Sequence, residues 1–146
     1  MSLQTDIVFV KALQGNAELM AKLPAGNVYN TSIALPDEDI DNAPPPYIIV
    51  SFDGLTNDQS TKDGYEGDTD VVNISIEIAA KTRKQLGELA EDVRCTVREF
   101  FESVDEEDEL YDLVPYDYQF TAQGVMYDSM KPCYWQVLNW QCDTNP

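Results

Sequence analysis

Between residues 71 and 78 the chain alternates in character. Val72, Ile74, Ile76 and Ile78 are apolar, and Asn73, Ser75 and Glu77 between them are polar. A period of two sends the two sets to opposite faces of an extended chain, so this stretch predicts a strand buried on one side. The period then changes. Leu86, Leu89, Ala90, Val93, Val97, Phe100 and Phe101 recur at helical spacing, with Glu88, Glu91, Asp92, Arg94, Arg98 and Glu99 largely off that stripe. This predicts an amphipathic helix that packs across a sheet face and keeps its charged side in water. Thr82 and Gln85 form a capping-box pattern at its start.

Towards the N-terminus, Leu3, Ile7, Val10 and Leu13 also stand at helical spacing and predict a helix over 3–14. Asn16 is placed to cap a second short helix carrying Leu19, Met20 and Leu23, which Pro24 stops. Val28-Tyr29 starts a short extended piece, followed by the acidic loop LPDEDIDNAPPP and a strand over Tyr47–Phe52. Pro44, Pro45 and Pro46 have no N–H to give a sheet ladder, so they set where that strand's pairing begins. Residues 53–70 are polar and glycine-bearing and read as a long connection between strands. Beyond the long helix, Tyr116, Tyr118, Phe120 and Ala122 alternate in one strand, and Tyr134, Gln136, Leu138 and Trp140, opposed by Trp135 and Val137, in another. MYDSMKP lies between them as a turn. The expectation is one domain over 1–146, of the α+β class. It has a mostly antiparallel sheet with helices packed on one face, in the order α-β-β-β-α-β-β.

Composition narrows the function. At 146 residues and 43% hydrophobic, the chain has material for one core. No apolar run approaches the roughly 18 residues of a membrane span. The start MSLQTDIVFVKAL lacks a basic region ahead of its apolar residues and is interrupted by Asp6, so it is not read as a signal peptide, and a cytoplasmic origin is expected. Cys95, Cys133 and Cys142 are odd in number and lack CxxC spacing, which fits reduced thiols. The N-x-S matches at Asn30 and Asn73 are then coincidental. Histidine is absent, which removes Ser-His-Asp and Cys-His systems and His-ligated zinc. A net charge of −18, from 27 acidic and 9 basic residues, repels nucleic acid and anionic membranes.

Several clusters bear on chemistry. Glu102, Asp105, Glu106, Glu107, Asp108 and Glu109 offer oxygen ligands but lack the alternation, central glycine and closing Glu of a calcium loop. Asp63, Glu66, Asp68 and Asp70 in DGYEGDTD are a second hard-cation candidate, in a composition that is also ordinary turn chemistry. Cys95 falls between the stripe residues Val93 and Val97, as a structural thiol does. The aromatic segments at the C-terminus lack the basic neighbours of a base-stacking platform. No catalytic, cofactor-binding or metal-binding residue is assigned.

The series TDIVFVKAL, VYN, the proline-rich approach to PYIIVSF, and VVNISIEIAAK running straight into TRKQLGELAEDVRCTVREFF resembles the tail-completion (tail-terminator) proteins of long-tailed bacteriophages and prophages. The resemblance covers roughly residues 3–140 as an order of elements. It implies a non-enzymatic, homo-oligomeric subunit, commonly hexameric, that forms a ring at the head-proximal end of the tail tube and joins it to the head connector. The implied partners are the tail tube protein and the connector protein, with no cofactor, no direct nucleic-acid binding and no membrane. The implied location is the virion neck, reached from the host bacterial cytoplasm. Within a ring the polar connection is a candidate arm between subunits, through Asp58, Lys62, Asp63, Tyr65 and Glu66. Two other classes fit the charge: an acidic DNA mimic that inhibits a nucleic-acid enzyme, and a metal-dependent hydrolase working through carboxylates alone.

Overall fold

Alternation at 72–78 becomes the central strand of a sheet, and the stripe that follows becomes the helix above it. The computed structural model describes residues 2–24, 28–30, 45–57 and 69–145. Its helices are α1 (Thr5–Gln14), α2 (Ala17–Ala21) and α3 (Arg83–Ser103). Its strands are β1 (Val28–Asn30), β2 (Tyr47–Thr56), β3 (Asp70–Ala80), β4 (Asp117–Ala122), β5 (Met126–Asp128) and β6 (Cys133–Thr144). They form a six-stranded sheet in the order β1-β2-β3-β6-β4, with β5 also beside β6. Among the described residues β1 and β2 run parallel, and the other pairings are antiparallel. The fold is α+β, and its order roughly matches the expected one, with the short helix α2 and the strand β5 as added elements.

Val72, Ile74, Ile76 and Ile78 of β3 face the helices and are 0–1% exposed, beside Ile48 and Val50 of β2 and Leu138, Trp140 and Cys142 of β6. Phe9 and Leu13 of α1 and Leu86, Leu89, Val93 and Val97 of α3 close onto them. Aromatic rings meet edge to face across this layer: Phe9 with Phe101 at 5.3 Å, Phe9 with Trp140 at 5.4 Å, and Phe120 with Trp140 at 5.0 Å between centroids. Such pairs add about 0.5–1.5 kcal/mol each beyond the area they bury. On the opposite sheet face no helix of the described residues packs. Tyr47, Ile49, Ala79 and Cys133 make a smaller apolar cluster at one end of it, with Tyr29 and Trp135 against them.

Helix starts follow the cap chemistry. Thr82 Oγ1 accepts the Gln85 N–H at 3.1 Å, while Gln85 Oε1 accepts the N–H of Lys81 at 3.2 Å. Asn16 Oδ1 accepts the Leu19 N–H at 3.2 Å, and its Nδ2 donates to Thr96 Oγ1 at 2.8 Å, tying the start of α2 to α3. Asp6, buried in the first turn of α1, accepts a bond from Asn30 Nδ2 at 3.0 Å. A carboxylate there also suits the positive end of the helix dipole.

Local expectations fail at identifiable places. Leu3 is 71% exposed, because residues 2–4 form a 3-10 turn and the α-helix begins only at Thr5. Residues 53–56 belong to β2 rather than to a loop. The strand continues through a bulge between Phe52 and Gly54, where Gly54 takes φ +148° at no cost from a Cβ. MYDSMKP is not wholly a turn either: Met126–Asp128 is β5, and the turn is confined to 129–132. Between the pairs Ala122–Leu138 and Met126–Trp135, residues 123–125 oppose 136–137, so a second bulge lets β5 continue the line of β4 along β6. Asp128 Oδ1 accepts the N–H groups of Met130 and Lys131 and organises the turn.

Replacing Leu89 by Ala removes a side chain from the centre of this core and is expected to cost about 2–5 kcal/mol. Thr82→Ala removes only the cap and is expected to cost about 1 kcal/mol. Glu88→Ala, on the exposed face, should stay within about 0.5 kcal/mol. Urea denaturation of the three variants checks this ranking.

Candidate functional site

The acidic segment after α3 is built locally by its own carboxylates. Val104 N–H bonds to Phe100 O and closes the helix, and Asp105 Oδ1 and Asp108 Oδ1 accept the N–H groups of Glu107 and Leu110 at 3.0 and 2.9 Å. These are turns in which an aspartate satisfies the backbone two residues on. A 3-10 turn at Tyr111–Leu113 follows, anchored by buried Leu113. Glu102, Glu106 and Asp112 are exposed and point to a different use.

They rim a groove of about 660 Å³, enclosed by the end of α3, the acidic segment and the approach to β4. Its walls are Phe101, Val104, Tyr111, Val114, Pro115 and Tyr116, and Asn145 also borders it. Pairing of β4 with β6 draws these pieces together: Tyr116 N–H bonds to Asp143 O at 3.0 Å. Phe101 is shared with the core, edge to face with Phe9 and with Tyr118. Tyr111 and Tyr116 remain 40% and 57% exposed, and the Tyr116 hydroxyl hydrogen-bonds with Thr69 Oγ1. Among the described residues no basic side chain borders the groove. Elsewhere, cations of this chain already lie over rings: Arg94 over Phe120 at 4.4 Å and Lys131 over Tyr47 at 4.8 Å.

Two other surfaces stand out. The exposed sheet face carries a shallow polar depression lined by Asn73, Gln119, Thr121, Asn139 and Gln141. At the far end of the β4–β6 hairpin, Met126, Tyr127 and Met130 are 51%, 56% and 95% exposed.

Asp58, Lys62, Asp63, Tyr65 and Glu66, the candidate arm residues, lie outside the described residues, as does most of DGYEGDTD. Asp70 is the buried first residue of β3 and accepts a bond from Asn57 Nδ2 at 2.7 Å. Among the described residues no three acidic or cysteine side chains converge as a cation site. Sequence reasoning treated the acidic run as a cation candidate and missed the groove. The signal lay in the aromatic residues that flank that run, Phe101 before it and Tyr111 and Tyr116 after it, and it becomes a site only through contacts far apart in the chain.

The thiols are free. Cys95 is half-buried on α3. Burial pushes the Cys142 thiol up to about 12, and burial with nearby Asp128 raises that of Cys133, so both are protonated near neutral pH. Burial likewise raises the Glu77 carboxyl on the open sheet face, partly offset by Lys131.

No protein-family model matches this chain, and no curated protein matches it in sequence.

Native protein treated with a thiol reagent should therefore label first at Cys95, with Cys142 reacting only on unfolding; mass spectrometry of time points reads this out. The sign of the pH effect follows from the raised Cys142 pKa. The folded state keeps a proton that the unfolded state loses above the ordinary value of 9.0, so stability is retained below that pH and declines as pH rises towards about 12. Cys142→Val should flatten that alkaline decline in urea midpoints.

Proposed function

We propose that this chain is a virion assembly protein of a long-tailed bacteriophage or prophage. In this reading it is a non-enzymatic subunit of a ring, a homo-hexamer, at the head-proximal end of the tail tube, where it terminates the tail and joins it to the head connector. The observation that carries the proposal is the order of elements. A leading helix, a central strand that passes through Lys81 and Thr82 directly into a long helix, and a closing antiparallel hairpin are assembled on one sheet, with the two helices packed against one of its faces. That is the series in which the sequence resembles tail-completion proteins.

Two physical features support it. A ring uses heterologous contacts, in which unlike surfaces of neighbouring copies meet. This subunit carries unlike surfaces: a helical layer, a second sheet face with a polar centre, an exposed hairpin tip and an acidic groove. A charge of −18 also suits a conduit for DNA, since a negative wall does not hold the passing polyanion. Its partners are then the tail tube and connector proteins, and its place is the virion neck after assembly in the host cytoplasm. The DNA-mimic reading rests on net charge alone, and the acids of α3 are interspersed with Lys84, Arg94 and Arg98 rather than set along a regular track.

In phage-producing cells lacking this protein, electron microscopy should show tails of irregular length and heads without tails. Tails of normal length joined to heads would overturn the proposal.

A further inference from the structure

We propose that the groove beside the end of α3 docks a short lysine- or arginine-bearing segment of a partner protein. The groove combines three things a long cationic side chain needs. Aromatic rings of Phe101, Tyr111 and Tyr116 offer faces for an ammonium or guanidinium. Apolar walls at Val104 and Val114 take the aliphatic stem, which such side chains bury readily. Glu102, Glu106 and Asp112 supply carboxylates for charge-assisted hydrogen bonds.

Charge complementarity identifies the occupant. Among the described residues that line it, three are carboxylates and none is basic, so the described border of the groove is negative. Asp105 and Asp108 are committed to the turns, whereas the rim carboxylates lie exposed beside the aromatic walls. A bare cation is disfavoured, because no three acidic groups converge among the described residues. Phosphate-bearing ligands meet repulsion at the same rim. A second copy of the chain is a poor source, since it carries 9 basic residues among 27 acidic ones. The cation-over-ring geometry is one the fold already uses at Arg94–Phe120 and Lys131–Tyr47. A volume of about 660 Å³ holds a few side chains rather than a folded domain. The inference rests on the assembly reading only for which partner supplies the segment.

The test uses the full chain, titrated with the blocked peptide acetyl-Gly-Arg-Leu-Arg-Gly-amide and with its citrulline counterpart, which keeps the shape without the charge. Amide NMR shifts locate binding and fluorescence anisotropy measures it. Saturable binding is expected, with shifts centred on Phe101, Val104, Tyr111 and Tyr116, and citrulline weakening it about tenfold. The pair Glu106→Gln/Asp112→Asn should weaken the arginine peptide about fivefold or more, and Tyr111→Leu about threefold. Glu88→Gln/Glu91→Gln removes the same charge from the outer face of α3 and should change affinity by less than about twofold. Absence of saturable binding, shifts spread over other acidic surfaces, or equal losses in the two charge pairs would overturn the proposal. Peptide binding is read on the isolated chain, so its failure leaves the tail-joining reading standing, and failure of that reading leaves the groove result standing.

Discussion

Phe9 is the contact on which the arrangement turns. Its ring meets Phe101 from the end of α3 on one side and Trp140 from β6 on another, each edge to face. The first helix, the long helix and the closing strand are thereby locked around one point, although they are far apart in the chain. Phe101 extends the contact to Tyr118 of β4, and Trp140 to Phe120. Rings prefer such offset geometry because the positive edge of one faces the negative face of the other. Where α3 ends over the sheet is therefore set by the core, and the groove just beyond Phe101 inherits that position.

The same packing makes the molecule one-sided. Helices cover one face of the sheet, and the other keeps polar residues at its centre and a small apolar cluster at one end. Backbone ends are tied as well: Thr144 Oγ1 donates to Ser2 Oγ at 2.8 Å and Ser2 Oγ donates to Asn145 O at 3.0 Å, fastening the N-terminus beside the last strand. Distinct surfaces around one sheet are compatible with the proposed role in an ordered assembly, where each neighbour must find a different patch.

Much of this was legible in the residues. The period-two run of β3, the stripe of α3, and the caps at Thr82 and Asn16 are local signals, and each formed the element its chemistry dictates. Long-range pairing decided the rest. Gly54 reads as a loop glycine by composition, yet β3 holds it in the sheet at a bulge. Met126 and Tyr127 look like turn residues because they bury little, and only the register of β6 makes them a strand. Thr96 sits among apolar positions of α3 and is buried because Asn16 reaches it from α2, which no helical period reveals. The groove is the extreme case. Its aromatic walls and acidic rim are visible in the sequence, but their convergence depends on Phe101 being anchored in the core and on β4 pairing with β6.

The role proposed for the chain is a position in a particle, and labelling that position is the most direct measurement. Gold-conjugated antibody against this protein, applied to purified particles and viewed by electron microscopy, should mark the junction between head and tail once per particle. Label along the tail shaft, at the distal tip, or on no particle would contradict the account.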